Sequence, residues 1–138
     1  MAPITNVATP LYEDGRRFTG HATAAVTGKR FLKISADRQS PVGLSAATAG
    51  DNLSVAPCTA AAKAVGVAEY DAAISTKVTV LNGPGMIVPV AAGAAVVAGV
   101  QVESDATGRA ITLAAGIACG LAVTSQAVVD SDVYVKLY

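Results

Sequence analysis

Apolar and polar positions alternate in short runs along most of the chain, and Gly, Pro, Asn and Asp separate the runs. That pattern predicts short strands joined by tight turns. Strands are expected over residues 16–23, 30–35, 66–68, 77–81, 86–90, 100–103, 109–113, 117–123 and 132–137, with the one at 86–90 ending near Pro89, and Leu53 and Val55 begin another extended segment that Pro57 stops. In the last of them Val133, Val135 and Leu137 face one way, and Tyr134, Lys136 and Tyr138 the other. Thr27-Gly28-Lys29, Asn82-Gly83-Pro84-Gly85 and Asp105-Ala106-Thr107-Gly108 read as turns. Residues 36–51, with Pro41, Gly43 and Gly50, read as a loop. Residues 60–65 read as one helical turn, because Ala is the best helix former. No long helical periodicity occurs, which argues against a helical bundle. The expected fold is all-β: a compact small barrel or sandwich of short strands, with an extended N-terminal arm and at most one or two short helical turns.

The arm is residues 1–14, where Pro3 and Pro10 resist regular structure and Thr5, Asn6 and Thr9 favour turns. Residues 15–138 form the single β-rich domain. Within it the sequence echoes itself. Gly66-Val67-Ala68 followed by a strand at 77–81 resembles Gly120-Leu121-Ala122 followed by a strand at 132–137. Ala24-Ala25-Val26-Thr27-Gly28 resembles Ala95-Val96-Val97-Ala98-Gly99. Duplication and chance in an Ala- and Val-rich chain both fit these echoes.

Composition sharpens the picture. Hydrophobic residues make up 52% of the 138, but aromatics only 4%, and there is no Trp. An Ala/Val core buries little area per residue, and at about 25 cal/mol per Å² that is little stabilisation. Association with copies of itself or with a larger assembly is therefore expected to add stability. Ten basic residues balance ten acidic ones, without the basic excess of nucleic-acid binders. The local basic group Arg16, Arg17, Lys29, Arg30 and Lys33 reads as a solvated strand face. Residues 78–102 and 110–129 carry no charge, but Gly, Pro and weakly apolar Ala interrupt them, so no membrane span is expected. Residues 1–9 lack the layout of a signal peptide. Cys58 and Cys119 read as small buried residues, and their pairing is open.

Reactive constellations are missing from the sequence. His21 is the one histidine and no GxSxG motif accompanies it. There is no HExxH, CxxC or EF-hand spacing, and Asp130-Ser131-Asp132 reads as a turn. Gly83-Pro84-Gly85 lacks phosphate-loop spacing. Lys63 and Lys77 lack the neighbours of a carrier-domain lysine, and paired carboxylates for acid/base work would need a cleft, yet neither Glu13-Asp14 nor Glu103-Ser104-Asp105 shows a sign of burial. The expectation is a non-enzyme without cofactor or metal.

The order of segments carries a resemblance. It runs Tyr12-Glu13-Asp14-Gly15, Val26-Thr27-Gly28, Gly66-Val67-Ala68, Val78-Thr79-Val80, Val88-Pro89, the Ala98 to Val102 turn, the Gly108 hairpin, Gly116-Ile117-Ala118 and the closing strand from Val133 to Leu137. From Tyr12 onward this resembles the capsid cement, or head-decoration, proteins of tailed bacteriophages. It departs from them in a longer segment at 36–61 and in Val100 after Gly99, where an acidic residue often follows. The resemblance implies a structural virion protein, made in the host cytoplasm and placed on the outer capsid surface. It implies a homotrimer that bridges neighbouring major capsid proteins and stabilises the expanded head, with no nucleic-acid or membrane partner.

An arm that lies on the capsid follows from the same resemblance. Pro3, Ile4, Val7, Leu11 and Tyr12 are the expected capsid contacts, flanked by Arg16, Arg17 and Phe18. Deleting residues 2–11 is expected to abolish capsid binding and to spare the fold. Two other readings remain open: another virion subunit of the tail tube or head-completion type, and a bacterial surface or carbohydrate-binding β-module.

Overall fold

β-Branched and other apolar residues at alternating positions build ten strands in a computed structural model that describes residues 5–8, 16–37 and 52–138. They are β1 (Arg17–Ala22), β2 (Phe31–Ala36), β3 (Leu53–Pro57), β4 (Gly66–Ala68), β5 (Lys77–Leu81), β6 (Ile87–Ala91), β7 (Gln101–Ser104), β8 (Ala110–Thr112), β9 (Gly120–Ala122) and β10 (Asp132–Leu137). The fold is all-β, as the alternation predicts, and no helix occurs among the described residues. The loop expected at 36–51 lies largely outside them: Ala36 ends β2, and residues 38–51 are not described.

β1, β5, β4, β2 and β3 close a barrel through the parallel pairing of β1 with β3, where Ala22 meets Val55. β6, β10, β9, β7 and β8 form a second sheet in the same order. Its edges meet through one parallel bridge, Ala92 to Ala110. The registers repeat too. Arg17–Leu81 corresponds to Ile87–Lys136, Phe31–Val67 to Gln101–Leu121, Val67–Leu81 to Leu121–Lys136, and Lys33–Ala56 to Glu103–Ile111. The molecule is therefore two copies of one five-stranded unit, barrel 1 and barrel 2.

The interiors follow the same correspondence. Barrel 1 encloses Ala22, Val26, Leu32, Val55, Ala68, Val78 and Val80. The equivalent residues of barrel 2, Ala92, Val96, Val102, Ala110, Ala122, Val133 and Val135, are all buried. Only Ala and small branched side chains fit inside so narrow a barrel.

What differs is the outside. Phe31, Val67 and Leu81 point out of barrel 1 yet are fully buried, in one cluster with Met86, Val88 and Leu137 of the second half. Their counterparts Gln101 and Lys136 are exposed and Leu121 is half-buried. Burying each large side chain of this seam contributes roughly 1.5–3 kcal/mol. Backbone bonds cross it as well: Phe31 N–H to Gly108 O (2.7 Å), Ala91 N–H to Lys29 O (2.8 Å) and Ala61 N–H to Ser104 O (3.0 Å). Ion pairs from Lys29 to Asp132 (3.0 Å) and from Arg30 to Asp130 (3.8 Å) line its edge.

Three local expectations need correction. Residues 60–65 form no helical turn: Ala61 has φ 60° and the Ala62 amide closes a tight turn on Thr59 O (3.2 Å). The strand at Pro89 does not end there but runs to Ala91. Proline is tolerated because β6 is an edge strand, where a missing N–H costs no ladder bond. The second echo is shifted by one: Val26 bridges Ala72 and Val96 bridges Gln126, so Val26 corresponds to Val96 and not to Val97.

Candidate functional site

Of the residues nominated as a contact surface, Val7, Arg16, Arg17 and Phe18 are described, and Val7 and Arg17 lie where the N-terminal segment meets barrel 1. Residues 5–8 lie between the turn after β1 and the loop after β4. The Asp71 amide donates to Thr5 O (2.9 Å) and the Ala8 amide to Glu69 O (2.5 Å). The Asp71 carboxylate accepts from the Thr5 hydroxyl, from Asn6 Nδ2 (2.7 and 2.9 Å) and from the Gly28 amide (2.7 Å). Burial would raise the Asp71 carboxyl, but the bonds from Thr5, Gly28 and Asn6 outweigh it and hold it below the usual carboxylate range. Ala8 is fully buried in the seam cluster.

Val7 alone of this segment's apolar side chains faces outward, 46% exposed. With Lys29, Pro89, Asp132 and Tyr134 it lines a shallow depression of about 220 Å³ that spans both barrels. Pro3, Ile4, Leu11 and Tyr12 lie outside the described residues. Arg16 is exposed. Arg17 pairs with Glu69 at 2.6 Å, beside the Ala8 contact. Phe18 is half-buried and packs on the barrel 1 interior. Val7 and Arg17 thus share one neighbourhood through Glu69, while Phe18 serves the core.

The basic residues do not make one face. Arg17, Lys29 and Arg30 each pair with a different carboxylate. Asp130 and Asp132 are engaged in the seam ion pairs, with Asp130 also held by Arg109 (3.1 Å). Among the described residues no group of His, Cys, Asp and Glu is placed to hold a metal ion, and no helix is long and apolar enough to cross a membrane. Cys58 and Cys119 are free and buried at the seam. Burial, then the neighbouring Cys119, pushes the Cys58 thiol up to about 12.

No protein-family model matches the sequence, and no curated protein matches it. A solved structure does. The fold is that of the N base of head fiber gp8.5 from bacteriophage phi29, with a TM-score of 0.68 over 89% of this chain and 93% of that one, at 19% identity. Sequence reading missed Glu69, Asp71 and Gly28 as the seat of the N-terminal segment. Asp71 carries an ordinary turn signal, and only its long-range partners distinguish it.

Proposed function

We propose that this chain is a structural protein of a phage head, bound to the outer surface of the capsid, where it bridges neighbouring major capsid proteins and stabilises the expanded shell. The observation that carries this reading is the shared fold with a head fiber base along nearly the whole of both chains. The order of segments that resembles capsid cement proteins supports it independently. So does the depression where the exposed Val7 lies beside the half-buried Tyr134, which offers an apolar and aromatic contact at the junction of the N-terminal segment and barrel 2. In this reading the chain is not an enzyme, its partners are the major capsid protein and further copies of itself in a trimer, and the segment around Val7 faces the shell.

A second reading has a specific observation behind it. The matching structure is the base of a fiber, so the chain would serve as an anchoring module for a projecting element. Both readings place it on the head.

Co-sedimentation of the purified protein with expanded and unexpanded phage capsids tests the proposal. Saturable binding to expanded shells only, at a stoichiometry matching threefold positions, is the expected result. Saturable binding at a few sites per shell would favour the fiber-base reading. No binding to either shell would refute both.

A further inference from the structure

Barrel 2 carries a filled groove whose counterpart on barrel 1 is open. In barrel 2 the groove runs between Glu103 and Ser104 of β7 and the stretch 116–119 ahead of β9. The turn at residues 59–62 lies in it. Its Ala61 amide donates to Ser104 O (3.0 Å), and its Ala62 carbonyl accepts from the Cys119 thiol (3.8 Å). The fit is close: a Cβ on Gly116 would stand 2.7 Å from that of Ala61. Glu103 closes the groove floor by accepting from the Gly116 amide (2.6 Å).

Strand register places Lys33 where barrel 2 has Glu103, and Ile34 where it has Ser104. Val65 stands where barrel 2 has Cys119, since Val65 N–H to Leu32 O (2.7 Å) matches Cys119 N–H to Val102 O (2.8 Å). Lys33, Ile34, Ala62, Lys63, Ala64 and Val65 line an open groove of about 460 Å³. Ile34 is 48% exposed in it. Among the described residues its walls are apolar except for the two ammonium groups. Among the described residues neither Lys33 nor Lys63 has a carboxylate partner, whereas Arg17, Lys29, Arg30 and Arg109 each have one. Among the described residues Lys33 makes a long bond to the Thr59 hydroxyl (3.5 Å).

We propose that the groove of barrel 1 is a docking site for a segment of another protein, composed of small residues and flanked by carboxylates. The turn in barrel 2 supplies the shape: a small-residue backbone that donates an N–H to the β2 edge at Ile34, as Ala61 does to Ser104. The exchange of a floor-closing Glu103 for Lys33, with Lys63 on the facing wall, supplies the charge. Such rim charges select the partner and speed its arrival more than they add affinity. A second copy of this chain is the poorer occupant. Its own equivalent turn, Leu113-Ala114-Ala115-Gly116, carries no carboxylate, and Lys136 lies on the same barrel.

The proposal stands apart from the virion reading, because its test needs no capsid. The ¹⁵N-labelled full chain is titrated with the blocked peptide Glu-Thr-Ala-Ala-Ala-Glu and with its counterpart Lys-Thr-Ala-Ala-Ala-Lys. Expected are saturable shifts confined to the amides of Ile34 and residues 62–65, with the glutamate peptide binding about tenfold tighter. The preference should reverse in K33E/K63E, whose unchanged melting temperature would show an intact fold. No saturable shift by roughly 10 mM peptide, a range that covers even millimolar binding, overturns the proposal. Equal binding of the two peptides also overturns it. Shifts at these amides that grow with protein concentration alone would make a second copy the occupant and overturn it too.

Discussion

Gly28 lies against Asn6 so closely that a methyl group on it would stand 1.9 Å from the Asn6 carbonyl oxygen. The equivalent residue in barrel 2 is Ala98. The Gly28 amide donates to the Asp71 carboxylate (2.7 Å), as the Ala98 amide donates to the Ser125 hydroxyl (2.9 Å). Barrel 2 thus keeps the local turn but carries the methyl group that excludes the segment, and only barrel 1 can seat residues 5–8. Gly28→Ala is expected to displace them, uncover Ala8 and cost about 1–3 kcal/mol, as overpacking does. Ala98→Gly, where nothing is seated, should change stability by no more than about 1 kcal/mol. Urea unfolding together with limited proteolysis near residue 8 checks both. Equal stability and protease resistance in Gly28→Ala would show that the segment is not seated as described. The same geometry revises the expectation that deleting residues 2–11 spares the fold, since that deletion removes Ala8 from the seam.

Asp71 ties this seat to pH. Its carboxyl is held below the ordinary value by bonds from Thr5, Gly28 and Asn6, against the opposing effect of burial. A depressed carboxyl contributes stability that is present above its unfolded value and is lost as pH falls through the folded one. Protection of the Ala8 amide from hydrogen exchange should therefore be constant from neutrality down to about pH 5 and decline below about pH 4. In Asp71→Ala the protection should be lower throughout and the acid step absent. An unchanged acid step in that variant would assign the titration elsewhere.

Much of this was written in the sequence where the signal is local. The alternation over Asp132–Leu137 specifies its buried and exposed faces correctly. The echo of Gly66 in Gly120 reflects a shared constraint: a Cβ on either would come within 2.5 Å of a carbonyl oxygen on the paired strand, that of Leu81 or Lys136. The second echo aligns Gly28 with Gly99, and this is where composition misleads. The left-handed position equivalent to Gly99 is occupied by Lys29 at φ 62°, while Gly28 is needed for its contact with Asn6. Ala61 misleads in the same way. Its helix propensity yields to a left-handed turn that delivers its amide to Ser104. The seat of residues 5–8 depends on Glu69 and Asp71, far along the chain, and nothing near residue 5 signals them.

The seam between barrels makes equivalent positions unequal. Phe31 is fully buried there, whereas its counterpart Gln101 is exposed and donates to the Tyr138 hydroxyl (2.9 Å). Phe31→Ala should cost about 3–5 kcal/mol, the range for a buried aromatic. Gln101→Ala should fall within roughly 0.5 kcal/mol of the parent. Chemical denaturation of both variants decides it. Similar losses at the two positions would mean that the barrels do not pack through this face.

Cys58 and Cys119 report on the same seam. Burial raises both thiols, and Cys58 reaches about 12 with the neighbouring Cys119 adding to the effect. For an acid whose folded value lies above its unfolded one, the stabilising contribution is complete below the unfolded value and lost as pH rises toward the folded one. Stability should therefore fall from about pH 8.5 upward, where an unfolded thiol ionises, and fall less in Cys58→Ala. At pH 8 both thiols should resist a soluble disulfide reagent in the folded protein, because the protonated form is a poor nucleophile and the seam excludes the reagent. Labelling should then accelerate with urea in step with unfolding. Labelling of the native protein at the rate of an unhindered thiol would show that the two barrels separate without unfolding.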